Sequence, residues 1–287
     1  MKPRLIVLIS GSGTNLQALI DATQNGKLEA EIVLVVSNRK AAYGLERAKN
    51  AGIPTLYFPL KPYKDANKSR EDYDTDLAKI LEQHNPDLIV LAGWMHIDSG
   101  ALCQTFLGRI INLHPALPNE FAGAHAIEDA FVAWQRGEIS RSGCMVHHVI
   151  PELDAGETIL TREVPFIEGD TLETFATRVH VAEHEIIVEA TKKMLMTLRY
   201  QNVFAEAKKM YLTQTPLEEI LRFIRTKGFW QIDTIRILKD VMGMSIADGK
   251  RAVHFSETWA DMRSAKEKLD DVIEAVIQEI NQEQLMS

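Results

Sequence analysis

Asn112 and His114 close an apolar run, Ile110-Ile111-Asn112-Leu113-His114, that Pro115 and Pro118 keep from continuing as a strand. Residues two apart on a strand point to the same side, so this amide and imidazole project together where the backbone leaves a sheet. Such a pair can donate hydrogen bonds to a developing oxyanion and move a proton. It also suits a turn-capping Asn beside a half-buried His. A third group, Asp154, sits in the Gly-closed turn Pro151-Glu152-Leu153-Asp154-Ala155-Gly156, where a carboxylate can favour a protonated histidine and order a water, or only cap its own turn. Further upstream, Gly11-Ser12-Gly13-Thr14-Asn15 separates an aliphatic run from a segment of helical spacing. Glycines at a helix N-terminus leave backbone N–H groups open to an anion such as phosphate, and the Thr14 and Asn15 side chains could add donors. A tight capped turn is the structural alternative. The loop fits neither the dinucleotide fingerprint nor a Walker loop, which counts against NAD and ATP.

The scaffold that must hold these groups reads as α/β. Aliphatic or alternating runs predict strands at 5–9, 32–36, 55–58, 87–91, 110–114, 143–149 and 159–164. Helical spacing predicts helices after Asn15, around 44–48, from about 70 to before Pro86 with Tyr73, Leu77, Ile80 and Leu81 on one face, at 126–134 and at 171–195. The polar stretch 61–69 reads as a loop. Arg70 stands at a helix N-terminus, a position cations avoid, so it faces either a partner or solvent. Gly93-Trp94-Met95-His96, at the end of the 87–91 strand, suits a flat pocket for a heterocycle or core packing. His147, His148 and His96 lack companions at metal-ligand spacing and read as structural or pocket-lining, and His125 as a loop residue. Glu183, one turn after His180 on a face expected to be exposed, could accept hydrogen bonds from ribose hydroxyls or be solvated.

With 287 residues, 46% of them hydrophobic and 25% charged, the chain has room for one large domain and a small one. A net charge of −8 argues against a general nucleic-acid binder. Two isolated cysteines, Cys103 and Cys144, form neither a metal cage nor a disulfide framework and fit a reducing, cytoplasmic setting. The apolar run after Lys2 and Arg4 is too short for a signal peptide, and no stretch is long enough to span a bilayer.

With Gly11-Ser12-Gly13-Thr14-Asn15, the 88–95 strand and loop, Asn112-Leu113-His114-Pro115 and Glu152-Leu153-Asp154-Ala155-Gly156 in this order, the chain resembles the folate-dependent formyltransferase family, and within it the phosphoribosylglycinamide formyltransferases, over residues 4–196. The resemblance implies a Rossmann-like, mostly parallel sheet flanked by helices. It also implies an enzyme of purine biosynthesis that moves the formyl group of 10-formyltetrahydrofolate onto the amine of glycinamide ribonucleotide, with no metal. Asn112 and protonated His114 would stabilise the tetrahedral oxyanion, and Asp154 would raise the basicity of His114 and position a water. Gly13, Thr14 and Asn15 would hold the phosphate, and Glu183 the ribose with His180 beside it. Arg70 would pair with a folate carboxylate, and the segment Met95, His96, Ile97 and Asp98, next to Asn112, would hold the pterin. Four features depart from the family's usual pattern: Asp98-Ser99-Gly100 replaces an apolar residue, Ser and Pro, His96 replaces a frequent Arg, His180 a frequent Gln, and the loop Asn119-Glu120-Phe121 is more acidic than expected. Acceptors such as a sugar amine or aminoacyl-tRNA, and a non-catalytic sensor of folate or nucleotide, are the alternatives.

The domain boundary is expected near 198, followed at 199–287 by a small all-helical module outside the resemblance. Thr215 reads as an N-cap with Pro216 at the first helical position, and further helices are expected at 232–242, 245–254 and 259–280. From Thr215 to Ser287, 13 acidic residues stand against 10 basic ones, which suits self-association or a protein partner better than DNA.

Overall fold

The computed structural model describes residues 2–95 and 100–263. The chain divides into two compact units, Met1–Thr197 and Leu198–Ser287. Among the described residues, no helix is long and apolar enough to cross a membrane.

The first unit is built on a seven-stranded sheet. Its strands are β1 (Arg4–Ile9), β2 (Glu31–Ser37), β3 (Thr55–Tyr57), β4 (Leu88–Leu91), β5 (Ile110–His114), β6 (Arg141–His148) and β7 (Thr158–Pro165). In space they run β3-β2-β1-β4-β5-β6-β7, parallel from β3 to β5 and antiparallel at the β5–β6 and β6–β7 pairings. Leu5 to Ile9 on β1 and Leu88 to Val90 on β4 are each fully buried. A parallel strand covered by helices on both faces needs apolar side chains in both directions, which is why these segments do not alternate. Chain order reverses between β1 and β4. Parallel sheets open a crevice at such a point, beyond the carboxyl ends of the strands.

The helices of this unit are α1 (Thr14–Gln24), α2 (Tyr43–Asn50), α3 (Lys61–Asp65), α4 (Arg70–Glu82), α5 (Ala101–Thr105), α6 (Ala126–Gln135) and the start of α7 (Leu172–Leu212). Two short helices went unforeseen. One is α3, where Pro62 opens a single turn inside the expected loop, and the other is α5, which starts after Gly100 at φ +93°. Helix α4 begins with a capping box, Ser69 accepting from the Asp72 N–H and Asp72 from the Ser69 N–H. Its Tyr73, Leu77 and Leu81 are completely buried against β4 and its neighbours, while Ile80 is only half-buried. Trp94 belongs to the same core, and Trp134 stacks on Phe166 with ring centroids 4.8 Å apart.

In the second unit, α7 continues past the expected end at Leu195 because Val203 and Ala207 still have a core to enter. With them pack α8 (Leu217–Thr226), α9 (Gln231–Met242), α10 (Ile246–His254) and a 3₁₀ turn at Glu257–Met262. Trp259 is the largest fully buried side chain there. Arg225 lies 4.6 Å over its ring and pairs with both carboxylate oxygens of Asp261 at 2.7 Å, while Glu218 accepts from the Thr258 N–H at 2.6 Å. The cap of α8 is Pro216, not Thr215, and makes no side-chain hydrogen bond. Glu218 and Glu219 in the first turn complement the helix dipole instead. Ser245 caps α10 by accepting from the Asp248 N–H at 3.1 Å. The helix expected at 259–280 is a 3₁₀ turn where it begins, and residues beyond 263 lie outside the described ones.

Candidate active site

A cleft of about 890 Å³ opens at the carboxyl ends of β1, β4 and β5. One end is the turn from β1 into α1. Gly13 caps α1 at φ +70°, a conformation that costs glycine little, and a Cβ there would lie 2.6 Å from the Gly44 Cα. Gly44, on α2, is as tightly constrained, since its own Cβ would stand 2.3 Å from Ile9 Cδ1. Two helices thus meet glycine to glycine beneath the loop, and nothing at Gly44 signals this in the sequence. The first α1 hydrogen bond runs from the Gln17 N–H to the Gly13 carbonyl at 2.9 Å. The amides of Thr14, Asn15 and Leu16 therefore precede the helical ladder and face the positive helix end. Asn15 Oδ1 is buried without a hydrogen-bond partner among the described residues.

At the centre of the cleft stand Asn112 and His114, on one face of β5 as their spacing predicts. Across the antiparallel pairing, His147 of β6 lies directly opposite Asn112. Asn112 Nδ2 is 3.3 Å from Asp154 Oδ1 and 3.2 Å from His147 Nε2. His114 is buried, with Nε2 2.9 Å from the Phe121 carbonyl and Nδ1 3.5 Å from Asp154 Oδ2. Asp154 takes a left-handed backbone (φ +51°), and its Oδ2 accepts from the Gly123 N–H at 3.0 Å. The loop after β5 is what brings Phe121 and Gly123 back over the strand end. It bends through positive φ at Asn119, Phe121 and Gly123. Burial pushes the Asp154 carboxyl up, but the imidazoles of His147 and His114 beside it and the Gly123 N–H outweigh that and leave the group below its ordinary value.

The α7 end of the cleft carries Glu173, Ala176, His180 and Glu183. Glu183 is not the exposed residue its helical pattern suggests. It is 5% exposed, and its Oε2 accepts from His180 Nδ1 at 2.7 Å. The inward side of the helix here faces a cleft instead of a packed core, so a polar residue sits where periodicity expects an apolar one. That hydrogen bond raises the His180 pKa above its ordinary value, with burial opposing. A histidine raised in the folded state stabilises it fully below the unfolded value near 6.5, and loses that contribution as pH climbs through the folded pKa. His180→Gln should therefore lower the thermal midpoint more at pH 6 than at pH 8. A gap that stays constant with pH in a thermal shift series would contradict this.

On the β4 side, Leu91, Trp94 and Met95 line the cleft, and the Met95 N–H donates to Ser10 Oγ at 2.9 Å, tying the β4 loop to β1. His96, Ile97 and Asp98 lie outside the described residues. Arg70 is not among the residues lining the cleft. Its Nε is 3.0 Å from both carboxylate oxygens of Asp74, which is fully buried, so a cation at this helix N-terminus answers a carboxylate one turn on. Among the described residues no cluster of His, Cys, Asp and Glu could hold a metal ion.

A formyl transferase family model matches residues 3–191. The chain is 50% identical over 203 residues to phosphoribosylglycinamide formyltransferase of Schizosaccharomyces pombe, a match spanning 68% of this chain and 98% of that protein. It is 42% identical over 189 residues to the trifunctional purine biosynthetic protein adenosine-3 of Homo sapiens, spanning 66% of this chain and 18% of that one. Among solved structures it is similar to glycinamide ribonucleotide transformylase 1 from Symbiobacterium toebii, with a TM-score of 0.62, 40% identity, and coverage of 67% of this chain and 86% of that one.

Proposed function

This chain belongs to the formyl transferase family, and from that premise we propose that its cleft transfers the formyl group of 10-formyltetrahydrofolate to the amine of glycinamide ribonucleotide in purine biosynthesis. The observation that carries this reading is the meeting of Asn112, His114 and Asp154 in one cleft whose far end is the amino terminus of α1. The tetrahydrofolate co-substrate supplies a formyl group already activated on nitrogen.

The substrate amine attacks the formyl carbon. The C–N bond forms as the carbonyl π electrons move to oxygen, and the oxyanion collapses with loss of the folate nitrogen, which takes up a proton. Two N–H donors serve the oxyanion: Asn112 Nδ2, whose 3.3 Å bond to Asp154 is the one a full negative charge displaces, and the imidazole of His114. The 3.5 Å between His114 Nδ1 and Asp154 is long for a direct hydrogen bond and too short for a water between them, so the water that carries a proton from the amine towards the leaving nitrogen binds beside this pair. Asp154 stays ionised throughout and orients both partners. The amides at Gly13, Thr14 and Asn15 receive the phosphate, and Glu183 the ribose hydroxyls, with His180 beside it. Leu91, Trp94 and the main chain at Met95 form an apolar wall for the pterin.

The test is transfer by the full-length chain, following tetrahydrofolate release and formylated product together. Both should appear in equal amounts and require glycinamide ribonucleotide. A folded protein that formylates only a sugar amine or aminoacyl-tRNA, or nothing, would overturn the proposal.

A further inference from the structure

We propose that His147 is a positioning residue for this reaction, its Nε2 lone pair capturing one amide hydrogen of Asn112 so that the other is aimed at the reacting carbonyl. The inference rests on the role given to Asn112 above. His147 is 2% exposed, and its Nδ1 is 2.9 Å from the carbonyl of His148, its own chain neighbour. A carbonyl only accepts, so Nδ1 bears the hydrogen there, and in the neutral ring Nε2 is left as an acceptor. The atom 3.2 Å from it is Asn112 Nδ2, a donor, while the Asp154 Oδ1 atom on its other side stands at 3.6 Å, beyond hydrogen-bond distance. The other acceptor on Nδ2, Asp154 Oδ1, is the one the developing charge displaces, and once it is displaced an amide without His147 could turn about its last torsion and present its oxygen to that charge, which repels it.

The fold builds this arrangement from three features. The β5–β6 register sets His147 opposite Asn112, and side chains directly opposite on an antiparallel pair share a face. The β6–β7 register slips between Val146 and His147, a local irregularity of the kind that re-aims a side chain. Gly156 lets the opposing backbone approach the His148 carbonyl so closely that a Cβ would stand 1.7 Å from its oxygen, which keeps that carbonyl in place for Nδ1. None of this chemistry needs His147 to touch substrate.

A double-mutant cycle separates positioning from general support. His147→Ala should lower kcat on the order of tenfold or more with both KM values nearly unchanged, and in an Asn112→Ala background it should cost less than about twofold. His147→Gln, which keeps an acceptor at the end of its side chain, should recover much of the loss. In the ring-nitrogen NMR spectrum of the unmodified protein the neutral His147 should be protonated at Nδ1, a readout that does not depend on any variant folding. Equal losses in both backgrounds, or a neutral ring protonated at Nε2, would overturn the proposal. Absence of transfer by the unmodified protein would instead sink the functional reading, and the NMR spectrum would still decide the His147 geometry.

Discussion

His114→Ala should lower kcat by roughly 10³-fold, the scale of one lost oxyanion donor or one lost proton-transfer group, two roles that do not multiply when a single side chain fills both, with the fold retained. The fold survives because the polar partners of His114 stay satisfied without it: the Phe121 carbonyl can turn to water, and Asp154 keeps the Gly123 N–H and Asn112 as donors. Asp154→Asn should be nearly as costly for a different reason. Its two carboxylate oxygens accept from Asn112 Nδ2 and from the Gly123 N–H respectively. An amide has one oxygen, so it can serve one of these donors but must point its own N–H groups at the other. Because its pKa lies below the ordinary carboxylate value, Asp154 contributes stability that is present above the unfolded value near 3.9 and lost only as pH falls through the lower folded one. Across the neutral range it is therefore charged, and Asp154→Asn removes a charge at every working pH. Steady-state kinetics with a parallel thermal melt check both variants. Rates equal to the parent's would refute the assignment.

Gly156→Ala should be the most damaging single methyl in this unit. The added Cβ would stand 1.7 Å from the His148 oxygen and 2.7 Å from its carbonyl carbon, both backbone atoms that cannot swing aside as a side-chain tip does. The backbone of the 149–157 loop must separate from β6, moving Asp154 and freeing the carbonyl that holds His147. A cost of about 3 kcal/mol is expected, with a thermal midpoint lowered on the order of 5–10 °C for a domain of this size and kcat reduced alongside it. Gly11 is the contrast, because a Cβ there meets nothing within 4 Å and its backbone is not left-handed, so Gly11→Ala should leave the melt nearly unchanged. Equal melts for Gly156→Ala and Gly11→Ala would show that the 149–157 loop can give way.

Much of this was legible because hydrophobic runs and strand parity are local properties. Leu5 to Ile9 could only be a covered strand, and Asn112 and His114 share a face on any strand that contains both. The site's backbone partners were not legible. The Phe121 carbonyl and the Gly123 N–H carry no side-chain signature, and they reach His114 and Asp154 only because three residues of one loop take positive φ. His147 was read as structural or pocket-lining, since its place opposite Asn112 depends on which strand pairs with β5 and in what register. Glu183 was expected in solvent because helical periodicity describes how polar a face is, not whether that face borders water or a cleft. For Arg70 the carboxylate four residues on, Asp74, was visible in the sequence, and its complete burial was not.

The placement of the four tryptophans gives each unit an optical signature of its own. Trp94 and Trp134 lie within Met1–Thr197, and Trp230 and Trp259 within Leu198–Ser287. In the second unit they differ sharply in environment, Trp259 being 1% exposed and Trp230 63% exposed. An indole sealed from water emits at shorter wavelength than a hydrated one, so melting of the helical core shifts Trp259 to the red and leaves Trp230 almost where it was. With Trp94 and Trp134 replaced by Phe, a single emission scan would follow the loss of that helical core separately from the collapse of the sheet.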